Sequence, residues 1–170
     1  VMSADLHVHT FFFYCTSSPE YVVRLAAAKK ISVISVTDHD TVEGYMPAKK
    51  EGYACGVEVI PGIELTAEYQ GNEVHILGYF FDPAHKGLLK ELSLFKERRR
   101  ERVLRMVGNL NAHGVKLRAE DVFANSGQGS VGRMHIAMAM QTKGIVSSLG
   151  EAFEKYIGDD SPSYICGFRL

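Results

Sequence analysis

Two histidines near the start of the chain have a spacing that could do chemistry. In Asp5-Leu6-His7-Val8-His9-Thr10 they stand two residues apart. On a β-strand that spacing sends both imidazoles from one face, where they can converge on a single ion. Alone, the pair is equally consistent with two polar residues on an exposed strand. A second group, Thr37-Asp38-His39-Asp40, follows the apolar run 31–36. It therefore lies just past the C-terminal end of a buried strand, where α/β folds place their sites. Glu64 and His75 each interrupt an apolar strand pattern, in Ile60-Pro61-Gly62-Ile63-Glu64-Leu65 and Val74-His75-Ile76-Leu77-Gly78. Either one singly reads as a hydrogen-bonded core residue. Four strands each delivering such a group read as a metal cluster, because burying these charges for structure alone is costly.

Other polar features point less sharply. Lys96, Arg98, Arg99, Arg100, Arg102 and Arg105 form a basic run that could line a lid over an anionic substrate. Glu97 and Glu101 interleave with it as they do on a solvated helix face, which is the favoured reading. His85 and His113 stand near turns and read as surface residues. Cys15, Cys55 and Cys166 are odd in number and form no Cys-x-x-Cys pair, so they read as free thiols, with Cys55 a small packed residue.

The elements that must position these groups follow from periodicity. A strand covers 5–10, and Ser18-Pro19-Glu20 starts a helix with Ser as N-cap and Pro at the first position. A buried strand over 31–37, a helix over 47–54 and a strand over 57–66 come next. A polar Gln70-Gly71-Asn72 turn then leads to a strand over 74–80. Strands separated by helices predict parallel pairs, and the short turn predicts one antiparallel hairpin. Beyond residue 87 the pattern is helical. Leu88, Leu89, Leu92, Phe95, Val103, Met106, Val107 and Leu110 recur at helical spacing up to Gly114. A short helix over 120–124, a helix over 133–143 before Gly144, and a capping box from Ser148 and Glu151 complete the reading.

At 170 residues the chain fits one domain with a sizeable core. Nineteen Lys and Arg against 20 Asp and Glu leave a net charge of -1, so no strong duplex DNA binding is expected and an anionic substrate needs a local basic site. No apolar run approaches the length of a membrane span, and the first residues lack a signal-peptide pattern. No membrane association and a cytoplasmic location are the expectations.

The motifs D-L-H-V-H-T at 5–10, T-D-H-D-T-V at 37–42, P-G-I-E-L-T at 61–66, H-I-L-G-Y-F at 75–80 and G-R-M-H-I-A at 132–137 together resemble the PHP (polymerase and histidinol phosphatase) domain family. The resemblance is to its small phosphoesterase branch, which includes nucleoside-bisphosphate phosphatases and 5′-3′ exoribonucleases. It implies an α/β fold, a distorted (β/α)7 TIM-like barrel with a helical insertion. Residues 1–86 are the barrel half carrying the ligands, 87–165 the insertion, and 166–170 a tail matching no family feature. The later barrel strands are expected to be missing, leaving an incomplete barrel that is poorly stable or self-associating.

The resemblance also implies that His7, His9, His39, Glu64 and His75 hold two or three divalent ions. Manganese is favoured by the imidazole-rich donors, with iron or zinc as alternatives. Arg133 and His135 match the family's phosphate-binding pair. Asp5 and Asp38 read as carboxylates that orient neighbouring imidazoles, or as plain loop and strand-end hydrogen bonders. One departure is local: Tyr14, after Phe11-Phe12-Phe13, holds a position where the family has a ligating aspartate, so a third ion is expected to be absent or weakly held. The implied activity is metal-dependent hydrolysis of phosphate esters, with phosphorylated small molecules such as nucleotides, or RNA 5′ ends, as substrates. The rival expectations are a catalytically impaired metal-binding or scaffold module, and a cyclic-amide or other metal hydrolase.

Overall fold

The computed structural model describes residues 3–12, 17–70, 72–126 and 129–165. Its sheet has four strands in the order β1 (Ala4–Val8), β2 (Val33–Val36), β3 (Glu58–Tyr69) and β4 (Asn72–Tyr79). The first three are mutually parallel, and β3 and β4 form the expected antiparallel hairpin. The sheet curls as part of a barrel does: the Tyr79 hydroxyl of the last strand donates to the Leu6 carbonyl of the first at 2.8 Å. This is the incomplete TIM-like barrel that the motifs imply.

Helix α1 (Pro19–Ala28) starts as read, with Ser18 accepting from the Tyr21 amide and Pro19 in the first turn. Helix α2 (Tyr45–Cys55) starts two residues before the expected position. Pro47 is tolerated there because amides of the first turn have no partner within the helix. Gly56, at φ 69°, ends α2 in the left-handed conformation glycine adopts without strain. The two helices cover one face of β2 and β3 around Val23, Ala26, Ile34, Val36, Ala48 and Val59.

After the hairpin comes α3 (Lys86–Ala112), 27 residues long and so about 40 Å. It is followed by α4 (Ala119–Ser126), α5 (Arg133–Thr142), α6 (Leu149–Ala152) and a π-turn, Phe153–Ile157. Val103, Met106, Leu110, Val122, Ile136, Met140 and Ile157 form a separate core here. Fully burying side chains of this kind contributes about 1.5–3 kcal/mol each. The helical unit rests on the sheet unit through Leu92 and Phe95, which pack with Ile63 of β3. The Ser148–Glu151 cap is offset by one residue from the sequence reading: Ser148 accepts from the Glu151 amide, but the Glu151 carboxylate takes the amide and hydroxyl of Ser147. No described helix is long and apolar enough to cross a membrane.

Two features of the sheet bear on the site. Between Asp5, opposite Ile34, and Val8, opposite Val36, β1 holds one residue more than β2. Such a bulge re-aims side chains, and it lies at His7. At Gly62, a Cβ atom would lie 1.9 Å from the Ser35 hydroxyl of β2. Glycine therefore sets how closely β3 approaches β2, two residues before Glu64.

Candidate metal centre

His7 lies in β1 and His9 just past it, His39 past the end of β2, Glu64 inside β3 and His75 in β4. The structure brings all five together. Glu64, 3 % exposed, stands at the centre. Its Oε2 is 3.0 Å from His7 Nε2, 3.2 Å from His9 Nε2 and 3.1 Å from His39 Nε2, and its Oε1 is 2.8 Å from His75 Nδ1. Two groups of donor atoms result, one from His7, His9 and Glu64 and one from His39, Glu64 and His75. They share the Glu64 carboxylate, and the imidazole and carboxylate donors suit divalent transition metals. His39 is tied to Glu64 through the backbone as well, in an isolated parallel bridge.

Asp38 is buried and reaches the site indirectly. Its carboxylate accepts from the Thr10 amide and the Thr10 hydroxyl, both at 2.6 Å, while His9 Nδ1 lies 4.0 Å away. It fixes the turn after His9. Asp5 is exposed and accepts from the His7 amide at 3.4 Å, a strand-end hydrogen bond. Burial pushes Asp38 up to about 6, against the pull of the Thr10 hydrogen bonds. Burial also lowers His9, and it lowers His39 to about 2 with help from the Arg99 charge. Both rings are therefore neutral near pH 7, with a lone pair to offer a cation. His75 is raised, chiefly by its hydrogen bond to Glu73.

Sequence reasoning missed Glu73, and it misassigned two arginines. Arg99 and Arg102 do not lie on a solvated face; they are 5 % and 7 % exposed and line the cleft over the histidines. The available signal was their helical register, since they share the buried face of α3 with Phe95, Val103 and Met106. The interleaved glutamates masked it. Arg102 donates to Glu73 Oε2 at 2.9 Å, and Glu73 Oε1 lies 3.4 Å from His75 Nε2. These contacts, led by the His75 hydrogen bond, hold Glu73 down at about 2. Glu73 and His75 are two apart on one strand, the same signal that marks His7 and His9.

Arg133 stands at the cleft, paired with Asp159 at 2.5 Å and with Glu73 at 3.5 Å. His135 does not line the cleft. It is 1 % exposed, and its Nδ1 accepts from the Gly132 amide at 3.1 Å, closing the start of α5. The cleft holds about 330 Å³, with the imidazoles on one wall and Arg99, Arg102 and Arg133 on the other. Phe13, Tyr14 and Cys15, Gly127 and Gln128, and residues 166–170 with Cys166 lie outside the described residues. Cys55 is a free thiol, partly buried at the end of α2.

A half-barrel of three parallel strands and an antiparallel fourth that carries a histidine and glutamate cluster, with an arginine-bearing helical unit, defines a metal-site α/β class. Residues 5–149 match the PHP domain model, and the chain belongs to the PHP domain family. It is 30 % identical over 161 residues to the 5′-3′ exoribonuclease of Haemophilus influenzae, covering 95 % of this chain and 58 % of that protein. It is 28 % identical over 162 residues to the 3′,5′-nucleoside bisphosphate phosphatase of Chromobacterium violaceum, covering 95 % and 57 %. A crystal structure from Bifidobacterium adolescentis, described as a candidate metal-dependent phosphoesterase, superposes with a TM-score of 0.90 at 27 % identity, over 99 % of this chain and 60 % of that one. The chain thus spans under two thirds of the length of these relatives.

Proposed function

We propose that the protein hydrolyses phosphate esters, with nucleotides or RNA 5′ ends as substrates, at a centre of two or three divalent ions of which manganese is the first candidate. The observation that carries this reading is the shared carboxylate: Glu64 lies within hydrogen-bonding distance of four imidazoles, opposite three guanidinium groups. When bound, such ions lower the pKa of water, polarise phosphoryl oxygens and stabilise the leaving oxygen.

The chain's own residues supply the rest. His7, His9 and Glu64 would hold one ion and His39, Glu64 and His75 a second, with Glu73 fixing the His75 ring. Arg133 turns from the exposed Asp159 to fork onto phosphate oxygens. Arg102 Nη2 is buried without a hydrogen-bond partner among the described residues, and a phosphate oxygen entering the cleft would satisfy it. His135 supports Arg133 by fixing the start of its helix. A cytoplasmic location belongs to the same proposal and rests on the substrates named.

The test is to load the protein with manganese, iron or zinc in parallel and to offer a nucleoside 3′,5′-bisphosphate and a 5′-phosphorylated RNA. Release of phosphate or mononucleotide that a chelator abolishes is the expected result. Metal uptake with no turnover on either substrate would overturn the catalytic reading in favour of a metal-binding module.

A further inference from the structure

Arg99 comes from the helical unit but spends its hydrogen bonds among the residues that flank the ligands. Its Nε donates to Asp40 Oδ2 at 2.6 Å, its Nη2 to the Thr66 hydroxyl at 2.5 Å and its Nη1 to the Val131 carbonyl at 3.4 Å. Asp40 follows His39, and Thr66 lies two residues past Glu64. All three residues are at least 95 % buried.

Asp40 grips β3 at two points. Its amide donates to the Glu64 carbonyl at 2.9 Å, and its Oδ1 accepts the Thr66 amide at 2.9 Å. It does so at φ 53°, a left-handed conformation that aspartate tolerates better than most residues. The spacing between the loop carrying His39 and the strand carrying Glu64 is therefore set by a carboxylate whose charge Arg99 neutralises. Thr66 acts on the imidazole itself. Its Oγ1 lies 3.4 Å from His39 Nδ1, the ring nitrogen opposite the Nε2 that faces Glu64. A histidine that gives its Nε2 lone pair to a cation must carry its proton on Nδ1, and that N–H needs an acceptor. A guanidinium cannot accept, so Arg99 binds one lone pair of Oγ1 and leaves the other for His39.

We propose that Arg99 is a positioning residue of the metal centre, fixing the tautomer of His39 through Thr66 and the His39–Glu64 spacing through Asp40. This rests on the metal-binding reading given above. The helical unit then does more than cover the cleft: one of its side chains determines whether the second ion has a prepared ligand.

Thr66→Val tests this with little change of shape, since it keeps the Arg99–Asp40 pair and removes the hydroxyl. Thr66→Ser restores the hydroxyl, and Arg99→Lys keeps a charge that cannot make both contacts. Manganese affinity falls by about 10–100-fold in Thr66→Val and in Arg99→Lys, the loss typical when a metal-bound histidine loses its partner, and returns to near wild type in Thr66→Ser. By NMR, the zinc-loaded wild type and Thr66→Ser show a His39 Nδ1–H proton protected from solvent exchange, which Thr66→Val loses. Unchanged manganese affinity in Thr66→Val, or a zinc-loaded wild type with His39 protonated on Nε2, overturns the assignment. A wild-type protein that binds neither manganese nor zinc overturns the metal reading as well, which separates the two failures.

Discussion

On the strand side of the cleft four imidazoles surround one carboxylate, whereas on the helix side each of three guanidinium groups is tied back to a carboxylate of the sheet unit. Arg99 reaches Asp40, and both Arg102 and Arg133 reach Glu73. The strands hold their cluster by backbone geometry: parallel pairing, the β1 bulge and the close approach at Gly62 set where the side chains of the cluster point. The helices hold theirs by charge. A buried cation is tolerated only while paired, so α3 is committed to the strand carboxylates, and the apolar contacts of Leu92 and Phe95 hold it there. The strand wall is therefore expected to fail through loss of ligand geometry, and the helix wall through unpaired charge.

The largest effect is expected from Glu64→Gln. If the two donor groups share this carboxylate, affinity at both drops together, by more than the roughly 100-fold that follows loss of a ligand's own hydrogen-bond partner. His75→Ala in contrast weakens one group and spares His7 and His9. A Glu64→Gln protein that retains one ion at wild-type affinity, measured by calorimetric manganese titration, would show that the carboxylate does not bridge.

Next in size is Arg102→Met, which attacks the helix wall. It leaves Glu73 beside His75 without its nearest guanidinium partner. Breaking a buried pair in this way costs about 3 kcal/mol, read as a lower denaturant midpoint in the metal-free protein. Weaker inhibition by inorganic phosphate accompanies it, since a cation lining the cleft is lost. A variant as stable as wild type would mean that the α3–sheet contact is apolar in origin and the charge pairing incidental.

The same contrast explains what could be read from the sequence. The clustered residues were legible because strand chemistry is local: a period of two puts His7 and His9 on one face, and a lone polar residue in an apolar strand stands out, as Glu64 and His75 do. The Ser18-Pro19 start of α1 was legible for the same reason. Arg99 and Arg102 were not, because their partners Asp40 and Glu73 are 59 and 29 residues away and only the fold brings them near. The β1 bulge left no mark in composition. Neither did the burial of His135, whose ring closes a helix start. Strand β4 was read as apolar, but Ile76 and Leu77 are 51 % and 37 % exposed, since burial of a strand depends on what packs over it.

A smaller effect concerns pH and the metal-free protein. His39 is held neutral in the fold, lowered to about 2 by burial and then by Arg99, while in the unfolded chain it titrates near 6.5. Below pH 6.5 the unfolded state binds the extra proton, so stability is full above that value and declines as pH falls toward 2. The loss between pH 6.5 and 5.5 is about 1 kcal/mol from this group. His75 is shifted the other way, so the comparison must be internal. His39→Asn should flatten the acid limb of chemical-denaturation stability relative to wild type, and parallel curves for the two proteins would refute the assignment.

The smallest effect concerns His75 of the second donor group. Glu73 raises His75 by hydrogen bonding, which makes the imidazole a stronger ligand when deprotonated but also a better proton acceptor. Glu73→Gln weakens both properties. At alkaline pH, once His75 is deprotonated in either protein, the variant binds manganese a few-fold less tightly, because the ring is less basic. At acid pH the proton competes less well, so the variant holds metal to a lower pH than wild type. A basicity change alters metal affinity less than proton affinity, so the two affinity curves must cross between the alkaline and the acid limb. Parallel curves, or an acid limb that moves upward, would show that Glu73 serves Arg102 and Arg133 and leaves His75 unaffected, placing that carboxylate wholly on the helix side of the comparison.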